Sequence, residues 1–163
     1  MSKSMEMQSV LQAERDIESI NTQVIIQTYS DRVLVIITQL KKVGTLIQAS
    51  LPPTTPLVDS SEESSQAASD AIALSPVHPS IDLVYLFGHA PSLDHQTLYS
   101  SYAAQVATLV WASERYGSSR TPVIVGVALK ALRSPEKFSN ADRATFLQVM
   151  DLVRELLGIA GVA

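Results

Sequence analysis

Asp94 stands between two histidines, His89 and His95, in the stretch FGHAPSLDHQ. Two imidazoles beside a carboxylate are the raw material of a zinc site or a proton relay. The spacing works against both. His89 follows a predicted strand and His95 falls in the first turn of a predicted helix beyond Pro91, so solvated helix-start residues are the expected reading. His78 has no partner visible in the sequence. A serine nucleophile needs a base and an orienting acid, but there is no G-x-S-x-G elbow, no S-x-x-K and no phosphate-cradling glycine loop, and Gly44 in KKVG is isolated. Glu62 and Glu63 lie in a Ser/Glu tract, which does not hold paired carboxylates to the tolerance catalysis needs. The absence of cysteine removes thiolate chemistry and disulfides together, and it suits a reducing compartment. The expectation is a protein that is not an enzyme and uses no metal or cofactor.

The elements around these residues are those of a packing scaffold. TQVIIQTY (Thr22 to Tyr29) and RVLVIITQL (Arg32 to Leu40) are rich in β-branched residues and are joined by Ser30 and Asp31, which predicts a hairpin. The chain then turns through Lys42, Val43 and Gly44 into GTLIQAS, with Gly44 where a type I turn with a bulge requires positive φ. This predicts strands at 22–29, 32–40 and 44–50 in an antiparallel meander. Upstream, SVLQAERDIESI has helical composition, although its tail could equally pair as another strand. Leu51 to Ser80 carries LPPTTP, DSSEESSQAASD and SPVHPS, whose prolines and scarce apolar surface predict a mobile linker. Ser60 and Ser61 precede acidic residues there and suit an acidophilic kinase, against the plainer reading of a solvated spacer.

The C-terminal half alternates strand and helix. IDLVYLFG predicts a strand at 81–88; Ser92 caps a helix to about residue 116, with Gly117 to end it and Leu98, Tyr102, Val106, Leu109 and Val110 as its buried stripe. TPVIVGVALK predicts a strand at 121–130. Ser139 with Asp142 fits the capping box of a last helix at 140–157, which buries Phe146, Val149, Met150, Val153, Leu156 and Leu157 and stops at Gly158. The fold class is α+β: an antiparallel meander or sandwich-like sheet packed by two helices, in one domain over residues 1–163.

Val33 to Ile37 is apolar at five successive positions and Val123 to Leu129 is similarly two-sided, so both faces of the sheet need cover. Two helices cover one. The other calls for a second layer, from the chain's own strands or from another polypeptide. A net charge of −4 with scattered basic residues gives no footprint for nucleic acid, and there is no apolar run of membrane-spanning length or secretory-signal layout. The protein is expected in the cytoplasm, with the nucleus as a second compartment. Exposure at a loop tip makes Lys41, Lys42, Val43 and Gly44 the candidate partner-binding residues, against a mere solvated turn.

TQVIIQTYSDRVLVIITQLKKVGTLIQAS resembles the N-terminal block of the proteasome assembly chaperone 3 family, through Thr22-Gln23 before one strand, Thr38-Gln39 closing the next and Gly44-Thr45 opening the third. The later order of strand, long helix, VIVGVALK strand and terminal helix is similar too, so the resemblance spans most of residues 21 to 157. The middle is longer than the family pattern, in the manner of a fungal-type member. The resemblance implies a non-catalytic chaperone that pairs with a small relative, proteasome assembly chaperone 4, or forms a homodimer when isolated. It further implies that the pair holds α subunits of the 20S core, with the α5 subunit as a candidate, while their ring forms. The rival reading is a longin- or roadblock-like dimeric scaffold in trafficking or GTPase signalling, which also stacks helices on an antiparallel sheet.

Overall fold

The computed structural model describes residues 9–55, 76–113, 120–130 and 139–158. Its strands are β1 (Val10–Ile17), β2 (Ile20–Thr28), β3 (Val33–Thr38), β4 (Thr45–Ser50), β5 (Asp82–Phe87) and β6 (Val123–Ala128); the helices are α1 (Leu93–Ala112) and α2 (Asn140–Leu157). They form a single six-stranded sheet in the order β1-β2-β3-β6-β4-β5, antiparallel except where β3 runs parallel to β6. This is an α+β fold.

The segment with helical composition is a strand. Leu11, Ala13, Arg15 and Ile17 alternate with the exposed Val10, Gln12, Glu14 and Asp16, and pairing with β2 overrides the local helix preference. Glu18 (φ 50) and Ser19 (φ 63) join β1 to β2 in the double left-handed geometry of a tight hairpin turn. The antiparallel meander is therefore β1-β2-β3, one strand earlier than expected.

The expected hairpin between β3 and β4 does not form, because β6 inserts between them, parallel to β3 and antiparallel to β4. The physical reason lies in both strands' surroundings. A strand apolar on both faces is best placed at the sheet centre, and a loop from Gln39 to Gly44 is long enough to step over one strand's width of about 4.8 Å on each side. Gly44 does take positive φ (72°), but at this crossover rather than at a hairpin bulge; a Cβ there would collide with the Val127 carbonyl oxygen and lie 2.7 Å from the Cβ of Ala128.

Both helices lie on one face of the sheet. α1 packs on β6 and β4, α2 on β1 and β2, and the helices touch each other. The core between the layers holds Val24, Ile26, Val35, Ile37, Ile47, Val125 and Val127 from the strands and Tyr102, Val106, Val110, Val149, Met150 and Val153 from the helices. Tyr102 meets Phe146 edge-to-face at 4.9 Å. The helix starts follow the sequence reading: Ser92 Oγ accepts the His95 amide, and Ser139 and Asp142 form a reciprocal capping box. Gly158 ends α2 in the left-handed region, as expected.

α1 ends at Ala112, short of the expected residue 116, and Gly117 lies outside the described residues. Ser113 stops it: its amide donates to the Leu109 and Val110 carbonyls and its Oγ donates to Val110 O at 2.7 Å. Trp111 Nε1 donates to Thr121 O at 2.9 Å and ties this end to the approach to β6. Of the expected linker, residues 56–75, including Ser60, Ser61, Glu62 and Glu63, lie outside the described residues. Its first residues are pinned: Leu51 is buried, and the Arg120 guanidinium donates to the Pro53 and Thr55 carbonyls.

Candidate protein-protein interface

Side chains alternate across a strand, so each strand under the helices sends its other residues to the opposite face. Cross-strand register places Ile25 beside Ile36, Ile36 beside Gly126, Gly126 beside Leu46, and in the next row Gln27, Leu34, Ile124, Gln48 and Val84. Ile25, Leu34, Ile36, Ile124 and Leu46 thus form a contiguous half-buried strip, continued by the exposed Val84 on β5. No described element of the chain covers it. Gln12, Gln23 and Gln27 border the strip and Gln48 stands within it between Ile124 and Val84, while β2, β3, β6 and β4 carry no charged residue on either face. Solvent-facing sheet surfaces are ordinarily polar, and a contiguous apolar patch with a polar frame is the signature of an interaction surface. Charge is confined to the border, where Glu14 and Asp16 lie on edge strand β1 and Asp82 on edge strand β5.

One end of this face is closed by the β3–β4 loop, built from the motif residues of the sequence. Thr38 Oγ1 accepts the amides of Leu40 and Lys42, both at 3.2 Å. Gln39 is a three-point clamp: its amide donates to Ala128 O at 2.8 Å, its Nε2 donates to Thr22 Oγ1 at 3.1 Å, and its Oε1 accepts the Lys130 amide at 3.0 Å. Val43 lies over Gly126, where a Cβ would come within 2.9 Å of the Val43 carbonyl oxygen. Lys41, Lys42 and Val43 are exposed and Gly44 is half-buried against β6, so the first three are presented to solvent while the glycine serves the crossover.

Among the described residues, the polar groups that suggested chemistry are not gathered into a reacting centre. His95 Nδ1 sits 2.8 Å from Ser92 Oγ within the helix cap, and His78 Nδ1 accepts the Ser80 amide at 3.0 Å. Among the described residues no three His, Asp or Glu groups are placed to hold a metal ion. A cleft of ≈ 50 Å³ at the same end as the β3–β4 loop is lined by Glu18, His95, Tyr99, Tyr102, Lys130 and Asp142 among others. Asp142 is engaged by the Ser139 amide at 2.9 Å and hydroxyl at 2.7 Å. Burial, and to a smaller degree the Asp142 carboxylate, pushes the Tyr102 phenol far above its ordinary value; burial also raises Tyr99, followed by the influence of Tyr85. Both phenols stay neutral and neither is poised as a base.

A family model, proteasome assembly chaperone 3, matches residues 35–156, well over half of the chain. The chain belongs to the proteasome assembly chaperone 3 family. Individually curated proteins yield no significant match. For this member of the proteasome assembly chaperone 3 family, the residues behind the sequence resemblance turn out to be one structural corner. Thr22 and Gln39 are hydrogen-bonded, Thr38 organises the loop, Gly44 packs on β6, and Thr45 is buried beneath Gly88. Sequence reading anticipated the two-sided strands but missed Ile25, Leu46 and Val84 in the strip and Leu40 in the loop. The period of two in Gln23, Ile25 and Gln27, with glutamine where a surface strand usually carries charge, was the available signal.

Proposed function

We propose that the uncovered sheet face pairs this chain with a related small chaperone, and that the pair holds 20S α subunits while their ring forms and leaves before the particle matures. The observation that carries this reading is the charge-free apolar strip opposite the helices, in a chain whose family is that of a proteasome assembly chaperone. Two such faces packed together would bury each other's Ile and Leu side chains in a sandwich, with helices outermost, and a specific pair is expected to bury about 1,200–2,000 Å² in total. The related partner is an assembly chaperone 4-like protein, and a homodimer forms when the chain is isolated. The role is non-catalytic and belongs to the cytoplasm and nucleus. Release follows from displacement by incoming subunits, so affinity for the client must be intermediate.

Tagging the protein, fractionating a cell extract by size and identifying co-eluting chains tests this. Recovery with a small homologous partner and with free α subunits, α5 the first to examine, or with incomplete rings is expected. Stoichiometric recovery with finished 20S particles, or with no proteasome subunit at all, would sink the proposal; small GTPases or coat proteins in their place would favour the longin or roadblock reading.

A further inference from the structure

The β3–β4 loop has features that pairing of two apolar sheet faces does not need. Lys41, Lys42 and Lys130 are all the lysines among the described residues, and the Gln39 clamp brings their backbones to one corner. None of the three is in an ion pair there, whereas Arg15 is bound to Asp151 and Glu155 and Arg32 to Asp31. Leu40 and Val43, 41% and 45% exposed, flank Lys41 and Lys42. Lys41 takes φ 55°, a conformation that favours glycine or asparagine, while Thr38 Oγ1 fixes the amides on either side of it. Lys41 is thus held on a backbone anchored by Thr38 and Gln39, and its exposed side chain leaves that fixed backbone toward solvent.

We infer that this loop, with Lys130, is the docking site for an acidic segment of a protein client, seated with an apolar residue of that segment between Leu40 and Val43. The inference rests on the chaperone reading and adds the chemistry of the client's contact. Two carboxylates line the cleft beside Lys130, Asp142, held by the Ser139 amide and hydroxyl, and Glu18 on the β1–β2 turn, which makes no ion pair with Lys130; Lys41 and Lys42 are exposed on the loop outside that lining. The occupant is a short segment rather than a long polyanion. The chain carries a net −4, so an extended nucleic acid or anionic membrane meets overall repulsion, while a short segment within about one Debye length, 8–10 Å, meets the lysines.

The test uses the protein paired with its related chaperone and titrates it against each recombinant 20S α subunit at low and moderate salt. Reversing the three charges together (Lys41→Glu, Lys42→Glu, Lys130→Glu) should weaken binding at least tenfold and flatten its salt dependence, while the triple Lys→Arg protein should bind like the parent. Lys41→Gly relieves the backbone strain, so it should bind more weakly without lowering the melting temperature. Unchanged binding by the charge-reversed pair, with the parent binding normally, overturns this inference alone. Loss of pairing in the charge-reversed protein also overturns it, by assigning the loop to the pairing face. A parent pair that binds no α subunit overturns the chaperone reading itself.

Discussion

Gly44 answers two constraints at once: a backbone φ of 72° and a passage so close to β6 that a side chain would enter the Val127 carbonyl. Gly44→Val is therefore expected to lower stability by about 3 kcal/mol, the upper part of the range for a strained backbone position, because overpacking adds to the dihedral strain. Chemical denaturation of the two proteins measures it, and an unchanged midpoint would refute the crossover geometry. Ser19 presents the converse case, a non-glycine residue at φ 63° in a tight hairpin turn. Ser19→Gly should stabilise the protein by about 1 kcal/mol, the scale of the left-handed penalty for a residue with a Cβ, partly offset by glycine's greater unfolded-state entropy. A drop in the denaturation midpoint would mean that the serine side chain contributes more than its backbone costs. The positive φ of Gly44 was legible in KKVG, but its reason was not. The atoms that exclude a side chain belong to a strand far along the chain, and local composition carries no information about them.

Among the elements, what depends on neighbours in sequence was readable and what depends on partners in space was not. The cap of α1 and both ends of α2 were anticipated because Ser92, the Ser139-Asp142 box and Gly158 act within one turn. Ser139→Ala is expected to cost about 1 kcal/mol in thermal or chemical unfolding, and an effect indistinguishable from zero would show that the box is replaced by solvent. The strand order was hidden for the opposite reason. β6 reads as a strand, but nothing local says that it enters between β3 and β4; likewise the β1 segment has helical composition with a tail that could equally pair, and only the edge of β2 decides between them. For residues 56–75 the composition predicts little contribution to the core. Replacing them by a short Gly/Ser bridge should leave the unfolding midpoint nearly unchanged, since closure entropy varies slowly with loop length. An unfolded product would identify that segment as a packed part of the domain.

At the scale of the whole molecule, two adjacent residues separate folding from assembly. Ile37 is fully buried under the helices, whereas Ile36 lies half-buried on the uncovered face. Ile37→Glu should destabilise the chain by about 4 kcal/mol or more, because it buries an unpaired carboxylate. Ile36→Glu should leave the circular dichroism of the chain native-like while abolishing both the homodimer and the pair in sedimentation experiments, with melting lowered only by the loss of association. If both variants unfold, the face is core in a sense the single sheet does not convey; if Ile36→Glu still pairs, the strip is not the contact. The same sheet has a kinetic side. β1-β2-β3 and β4-β5 each pair through neighbours in sequence, and β6 bridges the two groups along both of its edges. Until residues 123–128 arrive, the inner edges of β3 and β4 have no partner and the two groups are not one sheet. Joining the two groups therefore depends on contacts distant in sequence, the kind that form slowly, and two apolar strand edges stay open wherever β6 is not yet in place. A protein of an assembly family thus has a keystone of its own: among the described strands, the last in sequence locks the preceding pieces together.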